Sequence, residues 1–384
     1  MKNLIGHVTH YYTRLGVAVL ELNGELKLGD QVVFLGHTTD FSQGVCSIEV
    51  EHHRILSAGS GEEVALKVDE PVRVGDEVFL LEEEGEIPEN RVLWKMMRAT
   101  GDTLYNLYEP TYSNFSSARG SDRRRLGTLV WALTFEPDTI TPEKLLRRSP
   151  YNAETAYTAR LHEAVDQGFM FEPEPGEFRL TGAGREAAQK LVSDIRKVIA
   201  QSDPLQPSDG SALARLLGRI VQSCLSTSPP PEPWSIQHSF ALMPPIDPPL
   251  PYSEQAISCL EAYRDDSHLA AWQPSELSAA ALESLTLLWR GDLHTLADLQ
   301  ERLVVRGHEP HIYQDSLSEL RQRGFIEGTM DGLKPTSAGR EFRQQVEVDT
   351  DHLFFAPWCC LKPVEKVELS CLLDQLRQGI NSTR

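Results

Sequence analysis

At 384 residues, with 40% hydrophobic and 24% charged side chains, the chain is too long for a single core and too apolar to stay disordered. Its formal net charge of −19 repels phosphate backbones and disfavours nonspecific nucleic-acid binding. No apolar run approaches the ~18 residues of a membrane span, and Met1-Lys2-Asn3-Leu4 leads straight into a strand pattern, so a cytoplasmic location without membrane contact is expected.

Short apolar runs separated by turn signals occupy residues 5–8, 17–22, 31–35, 45–50, 64–68 and 77–80. Asn23-Gly24 suits a tight hairpin, and Leu28-Gly29-Asp30 and Val74-Gly75-Asp76 each set a Gly-Asp turn before a strand. Strands this short and regular predict a small closed β-barrel over residues 1–88. Residues 1–90 carry six basic side chains against seventeen acidic ones, a poor clamp for RNA. The histidines His7, His10, His37, His52 and His53 have no thiol or carboxylate partner at ligand spacing, so no metal and no cofactor are expected. Six cysteines without paired spacing read as reduced packing residues.

Gly6-His7-Val8-Thr9-His10-Tyr11-Tyr12, Leu26-Lys27-Leu28-Gly29-Asp30 and Gly36-His37-Thr38-Thr39-Asp40-Phe41 resemble the second domain of translational GTPases of the elongation factor Tu kind, as does the turn at Ala58-Gly59-Ser60-Gly61-Glu62-Glu63-Val64. The likeness is nearest to stand-alone elongation-factor-like proteins. It implies a translation-factor barrel, but no G-x-x-x-x-G-K-[ST] phosphate loop occurs in the sequence and GTP hydrolysis is not expected.

Residues 89–122 read as a linker or arm after the acidic run at 82–86. Tyr105, Tyr108, Tyr112 and Phe115 lie there beside Arg119, Arg123, Arg124 and Arg125, a combination that either stacks on bases or packs on a neighbouring domain. An internal repeat follows. Gln167-Gly168-Phe169 with Thr181-Gly182-Ala183-Gly184-Arg185-Glu186 matches Arg323-Gly324-Phe325 with Thr336-Ser337-Ala338-Gly339-Arg340-Glu341. Each copy predicts helices, a two-stranded wing and a helix capped by the threonine, giving one unit over 123–200 and another over 276–384. Both resemble winged-helix domains of the MarR type, with pre-wing helices over 152–167 and 309–323. In the first, Lys144, Arg147, Arg148 and Arg160 are candidate phosphate contacts, with Asn152 and Thr155 near base edges; the second is too acidic for that role.

Residues 201–275 hold proline-rich loops and helices, the last over about 252–272. Arg264-Asp265-Asp266-Ser267-His268-Leu269-Ala270-Ala271, Leu288-Trp289-Arg290-Gly291 and Glu347-Val348-Asp349-Thr350-Asp351 resemble an uncharacterised bacterial helical family with a MarR-like C-terminal domain and an R-x-D-x-H-x-A-A segment. On a helix, Asp265 and His268 share a face, where they either orient a proton-transfer group or form a structural pair. A small-molecule pocket, if present, is expected there, lined by Tyr263, Arg264, Asp265, His268 and Trp272.

The expected architecture is thus a multi-domain chain, an all-β barrel followed by mainly α winged-helix domains. The expected function is a non-catalytic regulatory or adaptor protein that engages a protein partner or itself. A DNA-binding transcriptional regulator and a sensor or enzyme using the Arg264/His268 pocket are the alternatives. An RNA role by fold-level likeness to the selenocysteine-specific elongation factor stays open.

Overall fold

Alternating apolar residues in the first eighty positions fold into a curled antiparallel sheet. The computed structural model describes residues 2–36, 39–45, 47–51, 53–81, 86–117 and 123–382. Strands β1 (Lys2–Tyr12), β2 (Val17–Leu22), β3 (Leu26–Lys27), β4 (Gln31–Leu35) and β5 (Asp40–Gly44) come first. Strands β6 (Glu49–Val50), β7 (His53–Arg54), β8 (Ser57–Ala58), β9 (Glu63–Lys67) and β10 (Glu77–Leu81) complete the unit. Eight of them form one sheet in the order β5-β4-β10-β1-β2-β9-β6-β7, while β3 pairs with β8. The sheet keeps two edges, β5 and β7, so it is a half-barrel and not the closed barrel expected. Between residues 49 and 58 pairing runs only two residues at a time, too little to carry closure. Ala18, Leu20 and Leu22 of β2 and Val64 and Leu66 of β9 point inward onto Ile5, Val8, Phe34 and Val78. The two Gly-Asp turns share one construction. Gly29 and Gly75 take φ of +90° and +92°, and the following aspartates accept bonds from Lys27 N at 2.7 Å and Arg73 N at 2.8 Å.

The segment read as an arm is a helix, α1 (Glu86–Ser117), whose Leu93, Trp94, Met97 and Leu104 recur at helical spacing and are buried. Arg119 lies outside the described residues. The first repeat comprises α2 (Arg123–Leu133), α3 (Pro142–Arg148), α4 (Glu154–Asp166), a wing of β11 (Met170–Glu174) and β12 (Glu177–Leu180), and α5 (Gly182–Gln201). Helices α6 (Pro207–Leu225), α7 (Trp234–Phe240) and α8 (Pro249–Trp272) separate it from the second repeat. That repeat comprises α9 (Ala279–Arg290), α10 (Leu296–Leu303), α11 (Pro310–Gln322), a wing of β13 (Ile326–Glu327) and β14 (Lys334–Pro335), and α12 (Ser337–Phe355); α13 (Pro363–Ser382) follows.

Helix α8 is buried on most of its circumference and runs through the middle of the helical half, packed by α1, α6, α7 and α12. Its Ala256, Leu260 and Tyr263 join Trp94, Leu217, Phe354 and Trp358 in the largest apolar core. The half-barrel docks through Leu28 onto Leu353 and Ala356 at the end of α12. Cys359 is disulfide-bonded, which corrects the reading of the cysteines as uniformly reduced; Cys224, Cys259, Cys360 and Cys371 are free. Cys46 lies outside the described residues, as do His37 and His52. No helix among the described residues is long and apolar enough to cross a membrane.

Candidate functional site

A cavity of about 600 Å³ opens where α1, α8, α9 and α12 meet, against the end of α3. Helical spacing builds its walls: Glu261, Arg264, Asp265 and His268 from α8, Thr286 and Arg290 from α9, Arg343, Glu347 and Thr350 from α12. Arg98, Arg148, Tyr151, Glu283 and Arg306 complete the polar lining. Six arginines therefore face four carboxylates, in a chain whose overall charge is −19.

Most of these charges are tied down. Arg264 Nη1 donates to Asp351 Oδ1 at 2.9 Å, with Glu347 Oε2 at 3.7 Å, and its guanidinium lies 5.1 Å from the Phe354 ring centroid. Arg148 Nε donates to Asp265 Oδ2 at 3.1 Å, and Arg306 Nε to Glu283 Oε1 at 3.0 Å. Arg343 is only 2% exposed; its Nε donates to Thr286 Oγ1 at 2.8 Å, its Nη2 to Glu347 Oε1, and it lies 5.3 Å from the Trp289 ring centroid. Its Nη1 is buried with no hydrogen-bond partner among the described residues. Arg98 and Arg290 line the cavity without an ion-pair partner among the described residues.

The protonation states follow from the surroundings. Thr350 Oγ1 donates to Val346 O at 2.6 Å, so at its 3.1 Å contact with His268 Nδ1 it accepts. That assigns the proton to Nδ1 and leaves Nε2 as an acceptor. Burial first, then the Arg343 charge, depress the His268 pKa to about 4, so the ring is neutral at pH 7. Asp265 has 48% of its side chain open to the cavity, yet sits deep enough among protein atoms that burial raises its carboxyl, and the same cause raises Glu261. Glu347 is held below the usual carboxylate range by Arg343 and Arg264, which outweigh its burial.

Of the residues expected to line a pocket, Arg264, Asp265 and His268 reach this cavity, and Arg148, expected as a phosphate contact, joins them. Tyr263 and Trp272 do not: a helix turns about 100° per residue, and both rings point into apolar cores. Asp265 and His268 do not pair either; their partners are Arg148 and Thr350. Asp266 turns away to accept bonds from Ser235 N at 2.8 Å and Ile236 N at 3.1 Å, capping α7, and burial raises its pKa to about 6. Arg343, Arg98 and Thr286 were not singled out. A signal for Arg343 exists in the spacing of Arg343, Glu347 and Asp351 at i, i+4 and i+8 on one face of α12.

The candidate nucleic-acid residues are largely engaged within the protein. Lys144 lies over Phe135 and donates to Thr139 O, Arg147 pairs with Glu232 at 2.6 Å over the Trp234 ring, and Arg160 lies over Tyr157. Asn152 is buried and donates to Tyr157 Oη at 2.7 Å, so it cannot reach a base edge. Arg123, Arg124 and Arg125 open α2 and Arg119 precedes it; their side chains lie outside the described residues. No group of three or more His, Cys, Asp or Glu side chains among the described residues is placed to hold a metal ion.

Residues 237–383 match a helix-turn-helix family. A stretch of 80 residues, the length of the half-barrel unit, is 39% identical to an uncharacterized protease of Methanocaldococcus jannaschii, covering 21% of this chain and 20% of that one. A collagenase of Porphyromonas gingivalis is 34% identical over 87 residues, 22% of this chain and 24% of its own length. These relatives are peptidases. Among solved structures, the C-terminal domain of a Geobacillus thermoleovorans protein assigned to the U32 peptidases is 23% identical over 21% of this chain and 93% of its own, with a TM-score of 0.20. The chain spans about a fifth to a quarter of the length of the curated relatives it matches.

Two expectations are corrected by these relatives. The likeness the comparisons find is to proteases and collagenases, over 80 to 87 residues, and not to the translation-factor barrel; alternating strands and Gly-Asp turns are common to many small sheets, which is why the motifs pointed elsewhere. The non-catalytic regulator or adaptor, with the DNA-binding regulator beside it, is likewise overturned, because the curated matches are proteases and collagenases. The helix-turn-helix expectation stands for residues 237–383.

Proposed function

We propose that this chain acts on peptides, as a protein of the U32 peptidase kind, and that the arginine-lined cavity is where it holds its substrate. The observation that carries this reading is the 39% identity over 80 residues to a protease. The cavity supports it with suitable chemistry. Arg98, Arg290 and Arg343 would hold a peptide carboxylate, and the neutral His268 ring would accept a peptide N–H at Nε2. Glu261 and Asp265 lie one turn apart on α8 and are both raised by burial, which suits one of them to take a proton from water during attack on a peptide carbonyl. In this reading the two helix-turn-helix units, of the MarR winged-helix kind, serve as walls of the cavity. The inward engagement of Arg147 and Arg148 favours that use over DNA contact. A protein partner or self-association is part of the same proposal, and the native particle mass tests it.

The test is incubation of the full chain with gelatin and with a mixture of short synthetic peptides, reading new termini by mass spectrometry. Cleavage is expected, falling roughly 100-fold or more in either Glu261→Gln or Asp265→Asn, whichever removes the base. Peptides left intact overturn the proposal, whether or not they bind in native mass spectrometry.

A further inference from the structure

We infer that the cavity is a receptor for an oxyanion, the carboxylate or phosphate of a small ligand, with Arg343 as its fixed anchor. The inference rests on reading the cavity as the ligand site but not on peptide chemistry. A buried guanidinium normally spends its donors on protein acceptors, since a buried donor left unpaired loses its hydration and gains nothing in return. Arg343 spends Nε on Thr286 and Nη2 on Glu347, while Nη1, equally buried, has no acceptor among the described residues. The guanidinium carbon also lies 5.3 Å from the Trp289 ring centroid, and with two of its donors fixed the group is oriented before any ligand arrives. Its one carboxylate partner, Glu347, is shared with Arg264, which also donates to Asp351, so these two arginines are balanced by two carboxylates while Arg343 Nη1 is left over.

Arg98 and Arg290 add two further cations without ion-pair partners among the described residues. They share the cavity with Arg343, where an anion would interact favourably with all three. His268 narrows the ligand. With its proton on Nδ1 toward Thr350, Nε2 is left to accept, so the ligand should carry an O–H or N–H donor near its acid group. The volume, about 600 Å³, exceeds a bare phosphate and suits an amino acid, hydroxy acid or short peptide, or its phosphorylated counterpart.

The experiment is calorimetric titration of the full chain with four probes: inorganic phosphate, phosphoserine, the dipeptide alanyl-alanine and its C-terminal amide. Binding by the free dipeptide but not by its amide identifies a carboxylate receptor. Binding by phosphate and phosphoserine in preference to the dipeptide identifies a phosphate receptor. In either case Arg98→Gln and Arg290→Gln, which disturb no ion pair, should each weaken affinity about tenfold while leaving the thermal midpoint in place. Arg343→Lys should abolish binding; because that change also removes a core contact, the two outer arginines carry the decisive comparison. Failure of all four probes at ~10 mM, or unchanged affinity in the Arg98→Gln/Arg290→Gln double variant, overturns the inference. Anion binding without peptide cleavage would sink only the peptidase reading, whereas cleavage without anion binding would sink only this one.

Discussion

A single imidazole shows how far local surroundings set chemistry in this protein. His268 is neutral because charging it would bury a cation beside Arg343, Arg264 and Arg290, a cost only partly offset by Glu347. Its pKa is about 4 in the folded chain against 6.5 for the free side chain. Between those values the unfolded chain binds a proton that the folded chain refuses. The stability conferred by the neutral ring is therefore complete above pH 6.5 and is lost as pH falls toward 4, by an amount on the order of 2 kcal/mol once cavity solvent is allowed for. Asp266, raised to about 6, runs in the opposite sense, losing its contribution as pH rises. The whole-protein curve is thus a sum, and a variant is needed to isolate one member. His268→Gln keeps a donor for Thr350 without a titrating group. Urea unfolding at pH 7 and pH 4.5 should show the wild-type advantage over that variant shrinking with acid; an advantage independent of pH would mean that the ring charges freely in the folded state.

At the level of elements the repeat is reproduced bond for bond. Thr181 Oγ1 accepts from Gly184 N at 3.1 Å and donates to Gly168 O at 2.8 Å; Thr336 Oγ1 accepts from Gly339 N at 3.1 Å and donates to Gly324 O at 2.6 Å. Each threonine thereby joins the start of one helix to the end of another across the wing. Each second glycine lets the chains close: a Cβ on Gly184 would stand 1.9 Å from Phe169 O, and one on Gly339 2.0 Å from Phe325 O. Both obstacles are backbone and cannot swing away. Gly184→Ala and Gly339→Ala should each cost about 1–3 kcal/mol or more, seen as lowered thermal midpoints. Gly182→Ala meets open space and should be neutral or stabilising by up to about 1 kcal/mol. Equal effects at 182 and 184 would contradict the close approach.

Across the whole molecule, one carboxylate links three elements far apart in the chain. Asp351 on α12, 4% exposed, accepts from Arg264 of α8 at 2.9 Å and from Arg91 of α1. Asp351→Ala would remove the acceptor shared by Arg264 and Arg91, whose side chains are partly exposed, at a cost of about 1–3 kcal/mol in denaturant unfolding. The loss should also reach the cavity, since Arg264 lines it, and weaken ligand binding. A variant as stable as the wild type would show that the junction is hydrated enough to do without its anion.

What the sequence determined by itself is local. Gly-Asp turns, threonine caps, the doubled glycine motif and the two wings are specified within a few residues, because each depends on the conformational freedom of glycine or on a short side chain reaching its own backbone. Helix α1 was obscured by its run of aromatics and arginines, although Leu93, Trp94, Met97 and Leu104 carry the helical period. Whether the sheet closes depends on pairing lengths that alternation does not encode. The α8 wall of the cavity was legible in Arg264, Asp265 and His268, but its other walls belong to the tertiary structure: Arg98, Arg148, Arg264, Arg290 and Arg343 come from five helices, and only packing around α8 decides that they converge. Periodicity tells which face of a helix is polar; it does not tell which other polar face will meet it, and charge becomes a site only when several such faces share one low-dielectric space.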